Sequence, residues 1–175
     1  MTVLIWHYGS MGYYKHMIRK LQENDINCVA DLWLAANIQA HSFIPAAYWK
    51  KHYEPVKEMF LQAQLYVFEQ ETGHTIDGFI GMDEDYIAGI FVRSQAQSHG
   101  IGRQLLDYVK RQKNCLHLHV YCKNTRAVRF YQREHFHIRC EDIDRQTGEK
   151  ELLMTWQSPA NPGIERMLPG LGHQK

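Results

Sequence analysis

The sequence predicts an α/β fold, with one domain built on a mixed, mostly antiparallel sheet of six or seven strands and helices on both faces of that sheet. Three short, β-rich apolar runs follow one another between residues 65 and 92, and polar turns of hairpin length separate them. This pattern is typical of an antiparallel meander. Helical patterns before and after the meander supply the layers that cover the sheet. A chain of 175 residues that is 45% apolar buries one core and leaves little room for a second domain.

The part of the chain before the meander is predicted to form one strand and two helices. Residues 1–16 show no clear period and are predicted to be an N-terminal extension. Asn24 or Asp25 is a suitable cap for the first helix, in which apolar residues recur at helical spacing. The predicted elements are a strand over Met17–Leu21, a helix that runs to Ala40, and a less regular helix over Tyr48–Ala63.

The meander and the elements after it complete the predicted domain, which spans residues 17–157. Thr72-Gly73-His74 and Asp83-Glu84-Asp85 are its predicted turns. Residues 158–175 hold three prolines and three glycines and are predicted to be a tail outside the core. The predicted elements are strands over Leu65–Glu69, Gly78–Met82, Tyr86–Val92, Leu116–Tyr121, Phe136–Cys140 and Leu152–Trp156, and helices over Gly100–Lys113 and after Asn124.

Charge and composition exclude several classes of function. Twenty basic and 19 acidic residues leave a net charge of +1, so general electrostatic attraction to nucleic acid or anionic lipid is not expected. The apolar runs are shorter than the roughly 20 residues that span a bilayer, and the N-terminus lacks a signal-peptide pattern, which predicts a cytoplasmic protein. The four cysteines are too scattered for a disulfide framework. Binding must therefore come from a shaped site.

The segment Gln97-Ser98-His99-Gly100-Ile101-Gly102 has the character of a phosphate-binding loop. It lies between a β-rich run and an amphipathic helix, and the unpaired N–H groups of a helix N-terminus favour a phosphate or diphosphate. A dinucleotide-binding loop would place a small residue where Leu105 stands, and a nucleoside-triphosphate loop would have Lys-Ser or Lys-Thr where Arg103-Gln104 stands. Neither of those two loops fits the sequence.

A second motif, Asn124-Thr125-Arg126-Ala127-Val128-Arg129-Phe130-Tyr131, follows the first in the chain. With both motifs in this order and at this separation, the sequence resembles the GNAT superfamily of acyl-CoA-dependent N-acetyltransferases. The resemblance covers about Met17–Trp156. In detail the chain is similar to small stand-alone bacterial members of the YiaC type, in Trp33, His41-Ser42-Phe43-Ile44 and the alternating strand Leu116-x-Leu118-x-Val120.

The resemblance implies acetyl-CoA as the co-substrate, bound where the sheet splays between the fourth and fifth predicted strands. The main chain of Ile90, Phe91 and Val92 would pair with the pantetheine arm, and Asn124 would reach the cofactor from the end of the next strand. The N–H groups that would hold the diphosphate belong to Ser98, His99, Gly100, Ile101, Gly102 and Arg103.

The resemblance also places Tyr131 at the family's general-acid position, where it would protonate the departing thiolate. His119 stands where related alanine N-acetyltransferases carry a glutamate, and it is either the base or a strand histidine that packs beside the core. Water alone serves as the base in other family members. Glu69 and the run Asp83-Glu84-Asp85 are rival bases, although a charged run at a hairpin turn is usually a solvated loop.

Two further groups of residues have open interpretations. His41, Phe43, Tyr48 and Trp49 either wall the acceptor pocket or fasten the first two helices to the sheet. Alternate residues of a strand share a face, so Cys115, His117 and His119 suggest metal ligands, but Cys122 has the opposite parity. The sequence therefore predicts no metal.

The predicted function is transfer of an acetyl group from acetyl-CoA to a primary amine of a protein lysine, a protein N-terminus or a small molecule. Direct attack within a ternary complex is favoured over a cysteine acyl-enzyme, because no cysteine has a visible histidine partner. The alternatives are a CoA-binding regulatory or sensor module and an acetyltransferase toxin that acts on aminoacyl-tRNA. The expected partners are acetyl-CoA and an amine acceptor, without nucleic acid or membrane, for a monomer or homodimer.

Overall fold

A mixed β-sheet organises the fold. The computed structural model describes residues 3–4, 16–71 and 74–159, and eight strands lie within those ranges. They are β1 (Val3–Leu4), β2 (His16–Lys20), β3 (Gln64–Gln70), β4 (Ile76–Asp83), β5 (Tyr86–Val92), β6 (Cys115–Tyr121), β7 (His137–Ile143) and β8 (Lys150–Gln157). Their order in the sheet is β1-β2-β3-β4-β5-β6-β8-β7. All pairs are antiparallel except β5 with β6.

Helices cover both faces of the sheet and divide its core in two. One cluster of buried residues lies under α1 (Ile26–Ala40), α2 (Ala46–Lys51) and α3 (Tyr53–Phe60). The other lies under α4 (Ile101–Lys110) and α5 (Thr125–Arg133) and includes the fully buried Leu105, Leu106 and Leu118. The predicted fold class, a mixed and mostly antiparallel sheet between helices, is confirmed, and all seven predicted strands are present.

The sheet opens between β5 and β6. β4 and β5 pair as far as Gly78 and Val92, whereas β5 and β6 share one register pair, Tyr86 with His117. Beyond that pair the two parallel strands separate, as the splay predicted between the fourth and fifth strands requires. Arg93 N–H donates to the carbonyl of Asp77 at 2.8 Å, so the peptide groups of Val92, one residue earlier, face away from β4 and into the opening.

The helix predicted over Tyr48–Ala63 is wrong, because the structure has two helices, α2 and α3, that meet at His52. Pro55 explains the break. A proline in the first turn of α3 has no N–H to donate, and its ring clashes with the carbonyl of residue 51 if the helix continues. Asp25 precedes α1 as predicted, but its carboxylate accepts hydrogen bonds from Gln22 N–H at 2.8 Å and from Arg19 rather than capping the helix.

Both predicted extensions lie largely outside the described residues. Of residues 1–16, Val3 and Leu4 pair with Ile18 and Met17 and add a short strand to the edge of the sheet. Residues 72–73 of the first predicted turn and 160–175 of the predicted tail are not described. No helix in the described ranges has the length and apolar character needed to cross a membrane.

Candidate active site

A cavity of about 1020 Å³ opens at the splay. Its walls are the C-terminal end of α1, the second half of β5, the loop before α4, the first turns of α4 and the face of α5. Nine of the ten residues predicted to bind the cofactor line it, namely Ile90, Phe91, Val92, Ser98, Gly100, Ile101, Gly102, Arg103 and Asn124. The tenth, His99, is exposed and does not line the cavity.

The loop before α4 is shaped to direct backbone N–H groups into this cavity. Ser98 has a φ of 66° and Gly100, the residue before the helix, has a φ of 79°, so two left-handed turns fold the chain onto the start of α4. The first N–H groups of a helix have no partner inside it, and they carry the positive end of the helix dipole. This end of α4 therefore offers donors suited to a diphosphate.

Arg126 is a cavity residue that sequence reasoning missed. From the first turn of α5 its guanidinium reaches across to the loop, where it donates to Gln97 Oε1 at 2.7 Å and to Ser98 Oγ at 3.4 Å. Gln97 in turn donates from Nε2 to the carbonyl of Val92 at 3.1 Å. These hydrogen bonds join β5, the loop before α4 and α5 around the place where phosphate would bind.

Asn124 caps α5 and contacts the opposite wall of the cavity. Its Oδ1 accepts a hydrogen bond from Ala127 N–H at 3.1 Å, which confirms the predicted cap. Its Nδ2 lies 3.2 Å from Nε2 of His41, at the end of α1. Burial lowers the pKa of His41, against a smaller raising effect of the Asn37 carbonyl, so the imidazole is held neutral and accepts the amide proton.

Tyr131 lies on α5 with its side chain lining the cavity and only 7% of its surface exposed. Its ring packs on Phe130 and Phe136. Within the described ranges, no hydrogen bond joins its hydroxyl to another residue. Burial, and then the charge of nearby Tyr86, raise the pKa of Tyr131 well above its ordinary value. The hydroxyl therefore keeps its proton and can donate it to a group bound in the cavity.

His119 lies outside the cavity lining, on the face of β6 that points toward α1 and α2. It is exposed, and its ring centroid is 5.8 Å from that of Tyr86. Tyr86 lies opposite His117, at the single register pair that joins β5 to β6, so His119 is two residues further toward the open end of the splay. Sequence reasoning missed Tyr86, because nothing in the local pattern of β5 shows that its first residue sits at the closed end of the opening.

Residues of the predicted acceptor wall fall into two groups. His41 lines the cavity, whereas Phe43 and Trp49 do not. Trp49 is 7% exposed and packs edge-on against Trp33 in the core, which favours a packing role for it. Tyr48 donates to Gln146 Oε1 at 2.8 Å and so joins α2 to the turn between β7 and β8.

The rival bases and the metal interpretation find no geometric support. Glu69 accepts from Arg19 Nε at 2.6 Å and contacts His74 Nδ1 at 3.0 Å, and it does not line the cavity. Asp83 and Glu84 are exposed at the β4–β5 turn. Within the described ranges no three His, Cys, Asp or Glu side chains are grouped to hold a metal ion.

Known proteins resemble this chain in sequence and in fold. The family model described as "Acetyltransferase (GNAT) domain" matches residues 62–138. Peptidyl-lysine N-acetyltransferase YiaC of Escherichia coli (strain K12) is 35% identical over 142 residues, which are 80% of this chain and 93% of that protein. The chain belongs to the GNAT acetyltransferase family. It is therefore an acyltransferase that moves the acetyl group of acetyl-CoA to an amine.

Solved structures agree with the GNAT fold. The apo form of YjaB from Escherichia coli has a TM-score of 0.72 at 20% identity, and the match covers 80% of this chain and 96% of that one. The PaiA N-acetyltransferase from Thermoplasma acidophilum, solved in complex with coenzyme A, has a TM-score of 0.66 at 16% identity, with 82% and 99% covered. The cavity at the splay fits acetyl-CoA, since the first residues of α4, Arg126 and Tyr131 all line it.

Proposed function

We propose that this GNAT acetyltransferase acetylates the ε-amino group of protein lysines, by direct attack on acetyl-CoA within a ternary complex. The observation that carries the proposal is that the largely buried side chain of Tyr131 lines the same cavity as the N-terminal end of α4, whose N–H groups are suited to a phosphate. Lysine as the acceptor is supported by the 35% identity to a protein named as a peptidyl-lysine N-acetyltransferase.

The proposed chemistry assigns one role to each of two residues. The amine nitrogen attacks the thioester carbonyl carbon, so that a C–N bond forms and the C–S bond breaks. His119 takes the proton of the amine, directly or through a water molecule, from the exposed face of β6. Tyr131 gives its proton to the thiolate, and burial keeps that proton in place until then.

The cofactor is proposed to bind along β5 and the loop. The peptide groups of Ile90 and Val92 would pair with the pantetheine arm, and the N–H groups of residues 98–103 would bind the diphosphate. This assignment is supported by the open side of β5 and by the left-handed turns that precede α4. His99 would contribute through its backbone alone, since its side chain does not line the cavity.

We also propose that residues 17–157 form the catalytic domain. Strands β2 to β8 and helices α1 to α5 fall almost entirely within these limits, as do both motifs. A chain truncated to residues 16–158, which keeps the hydrogen bond from Ser158 N–H to the Asn114 carbonyl, is expected to retain the acetylation rate of the full chain.

Substitution of Tyr131 by phenylalanine tests the proposal. Tyr131→Phe removes the proton donor without opening a cavity, so turnover should fall at least about tenfold while coenzyme A still binds. Free-thiol release with acetyl-CoA and lysine peptides measures turnover, and calorimetry measures coenzyme A binding. Tyr53→Phe, which removes a hydroxyl on α3 that binds Asp31 far from the cavity, is the matched control.

Three outcomes have distinct meanings. Unchanged turnover in Tyr131→Phe would remove this residue from the mechanism. Acetylation of small amines without acetylation of any lysine peptide would overturn the choice of acceptor. Coenzyme A binding without acetylation of any amine would favour the sensor alternative.

A further inference from the structure

His41 lies directly after α1, and its imidazole packs against three aromatic rings. The ring centroids of Tyr121, Trp49 and Phe43 are 5.2, 5.3 and 5.7 Å from that of His41. Tyr121 and Phe43 meet the imidazole edge-on, at interplanar angles of 79° and 78°. This packing holds the imidazole in one orientation, so its two nitrogens point in fixed directions.

One polar contact joins His41 to the opposite wall of the cavity. Its Nε2 lies 3.2 Å from Nδ2 of Asn124, in the turn between β6 and α5. The other ring nitrogen, Nδ1, is shut off from solvent and has no hydrogen-bond partner in the described ranges. The hydrogen bonding of the ring is therefore directed at Asn124.

Asn124 is the donor in this contact, because its side-chain oxygen is already engaged. Its Oδ1 accepts from Ala127 N–H at 3.1 Å as the cap of α5, which leaves Nδ2 on the side of His41. An amide nitrogen only donates, so Nε2 of His41 accepts and the ring is neutral, with its proton on Nδ1. Burial lowers the pKa of His41 and so favours the neutral ring.

A second N–H of the Asn124 amide remains for a ligand. An amide nitrogen carries two hydrogens, and the hydrogen bonds of the described residues engage one of them, at His41. Asn124 lines the cavity together with Ile90 of β5 and Tyr131 of α5. The pantetheine arm, which carries amide carbonyls, is proposed to lie along β5 in the same cavity. Bound acetyl-CoA would therefore offer this N–H an acceptor.

His41 restrains the amide that makes this offer. The cap holds Asn124 at Oδ1, and the contact with His41 holds it at Nδ2. Together they fix the plane of the amide and the direction of its second N–H. A donor that is already oriented loses less conformational entropy on binding than one that must first be ordered, so the ligand binds more tightly.

We infer that His41 is a positioning residue, which holds the Asn124 amide so that its second N–H donates to a carbonyl of the pantetheine arm. This rests on the proposed binding of acetyl-CoA. It connects His41 with the cofactor rather than with the acceptor amine, because one ring nitrogen is engaged by Asn124 and the other is enclosed. A histidine that served only to pack among aromatic rings would not need an acceptor nitrogen.

The test compares variants of His41 by calorimetry with coenzyme A and by kinetics with lysine peptides. His41→Leu removes the acceptor nitrogen, and the Kd of coenzyme A should rise about fivefold, the effect of one neutral hydrogen bond. The peptide KM at saturating acetyl-CoA should not change. His41→Gln, which brings a side-chain oxygen near the position of Nε2, should stay within about twofold of the parent chain. His52→Leu is the matched control, since His52 packs on Tyr48 and does not line the cavity.

A double-mutant cycle tests whether His41 acts through Asn124. Asn124→Ser keeps an oxygen that can cap α5 but has no amide N–H, so coenzyme A binding should weaken at least as much as in His41→Leu. In the Asn124→Ser background, His41→Leu should cause no further loss, because the contact that it removes is already absent. His41→Phe also lacks an acceptor and keeps an aromatic ring. It replaces His41→Leu in both comparisons if thermal unfolding shows that the leucine variant is not folded.

Each result decides the inference. Parental coenzyme A affinity in His41→Leu would overturn it. Equal weakening in His41→Leu and His41→Gln would also overturn it, since the shape of the ring and not its nitrogen would then matter, and so would additive losses in the double variant. A raised peptide KM with unchanged coenzyme A affinity would place His41 in the acceptor wall and leave the proposed function standing. A parent chain that does not bind coenzyme A would overturn the proposed function, and this inference with it.

Discussion

The position of the Arg126 side chain indicates its role. Its guanidinium hydrogen-bonds Gln97 and Ser98, which belong to the loop proposed to bind the diphosphate. Hydrogen bonds between guanidinium and phosphate are charge-assisted and bidentate, so they are stronger than those it makes to neutral side chains. Acetyl-CoA binding should therefore draw Arg126 from the loop onto phosphate.

Arg126→Gln is expected to weaken acetyl-CoA binding about tenfold, the effect of roughly one lost charge-assisted hydrogen bond. Calorimetry measures the affinity, and pantetheine, which has no diphosphate, should bind both proteins equally. Arg129→Gln is the matched control, because Arg129 lies on the same helix, is exposed and does not line the cavity. Equal losses in the two variants would show that only the overall charge of α5 matters.

The site was predictable from sequence where its residues are close together in the chain. Gln97, Gly100, Gly102, Asn124 and Tyr131 belong to two short motifs, and each motif spans one loop and one helix start, so the resemblance to the GNAT family that these motifs carry was enough to single them out. Tyr86 and Arg126 escaped prediction for a different reason. They meet the others through strand register and across the splay, and neither property is written in a local pattern.

At the scale of elements, Arg19 joins β2, β3 and the start of α1. It donates from Nε to Glu69 at 2.6 Å and from Nη1 to Asp25 at 2.6 Å. The side chains of Arg19, Asp25 and Glu69 are 14%, 12% and 8% exposed. These groups are largely removed from water, so the loss of one partner leaves an uncompensated charge.

Arg19→Ala is expected to lower the free energy of unfolding by about 3 kcal/mol, because it leaves two largely buried carboxylates without their cationic partner. Urea unfolding measures the change, and Arg129→Ala, at an exposed site on α5, should cost less than about 0.5 kcal/mol. The network also predicts an acid dependence. Hydrogen bonds from Arg19 lower the pKa of Glu69 below its ordinary 4.5, and they outweigh burial to lower the pKa of Asp25 below 3.8.

The sign of this dependence follows from linkage. A carboxylate whose pKa is lower in the folded state contributes stability above its unfolded pKa and loses it as the pH falls through the folded value. Stability of the parent chain should therefore drop below about pH 4.5, whereas Arg19→Ala should lack this part of the drop. Parallel curves of stability against pH for the two proteins would contradict the assignment.

Helices and strands were predicted correctly where one local preference of the sequence dominated. The predictions were wrong where two preferences competed. The seven longer strands follow from β-rich runs between polar turns, and α4 from glycine at its start and its apolar face. In residues 48–63 the apolar pattern favoured one helix, but Pro55 broke it at His52. Asn24 or Asp25 was expected to cap α1. The Asp25 carboxylate instead accepts a hydrogen bond from Arg19 at 2.6 Å. Tertiary contacts overrode local preference at that position.

For the whole molecule, the splay predicts how acetyl-CoA changes the backbone. The peptide groups of Ile90 and Val92 face the opening, whereas those of Phe91 face β4. Hydrogen exchange at Ile90 and Val92 should be rapid in the free protein and slow when acetyl-CoA pairs with that edge. Phe91 should be protected in both states and is a control within the same strand. Equal protection of Val92 with and without acetyl-CoA would show that the pantetheine arm does not pair there.

Strand order marks the limit of prediction at this scale. The meander β3-β4-β5 follows from turn lengths, since connections of five residues between β3 and β4 and of two between β4 and β5 are short enough to make hairpins. The insertion of β8 between β6 and β7 depends on burial instead. Every residue of β7 is exposed, whereas β8 buries Met154 and Trp156, so the more apolar strand takes the inner place.

The splay also bears on solubility. A strand edge with unpaired peptide groups is normally a template for pairing with another chain, and proteins protect such edges with charge, proline, bulges or covering elements. Here the open edge of β5 lies inside the molecule, between α1 on one side and α4 with α5 on the other. A narrow pantetheine chain has the form to enter, whereas a foreign β-strand with its side chains would meet those helices. The fold thereby keeps a strand edge available for its cofactor without exposing it to aggregation.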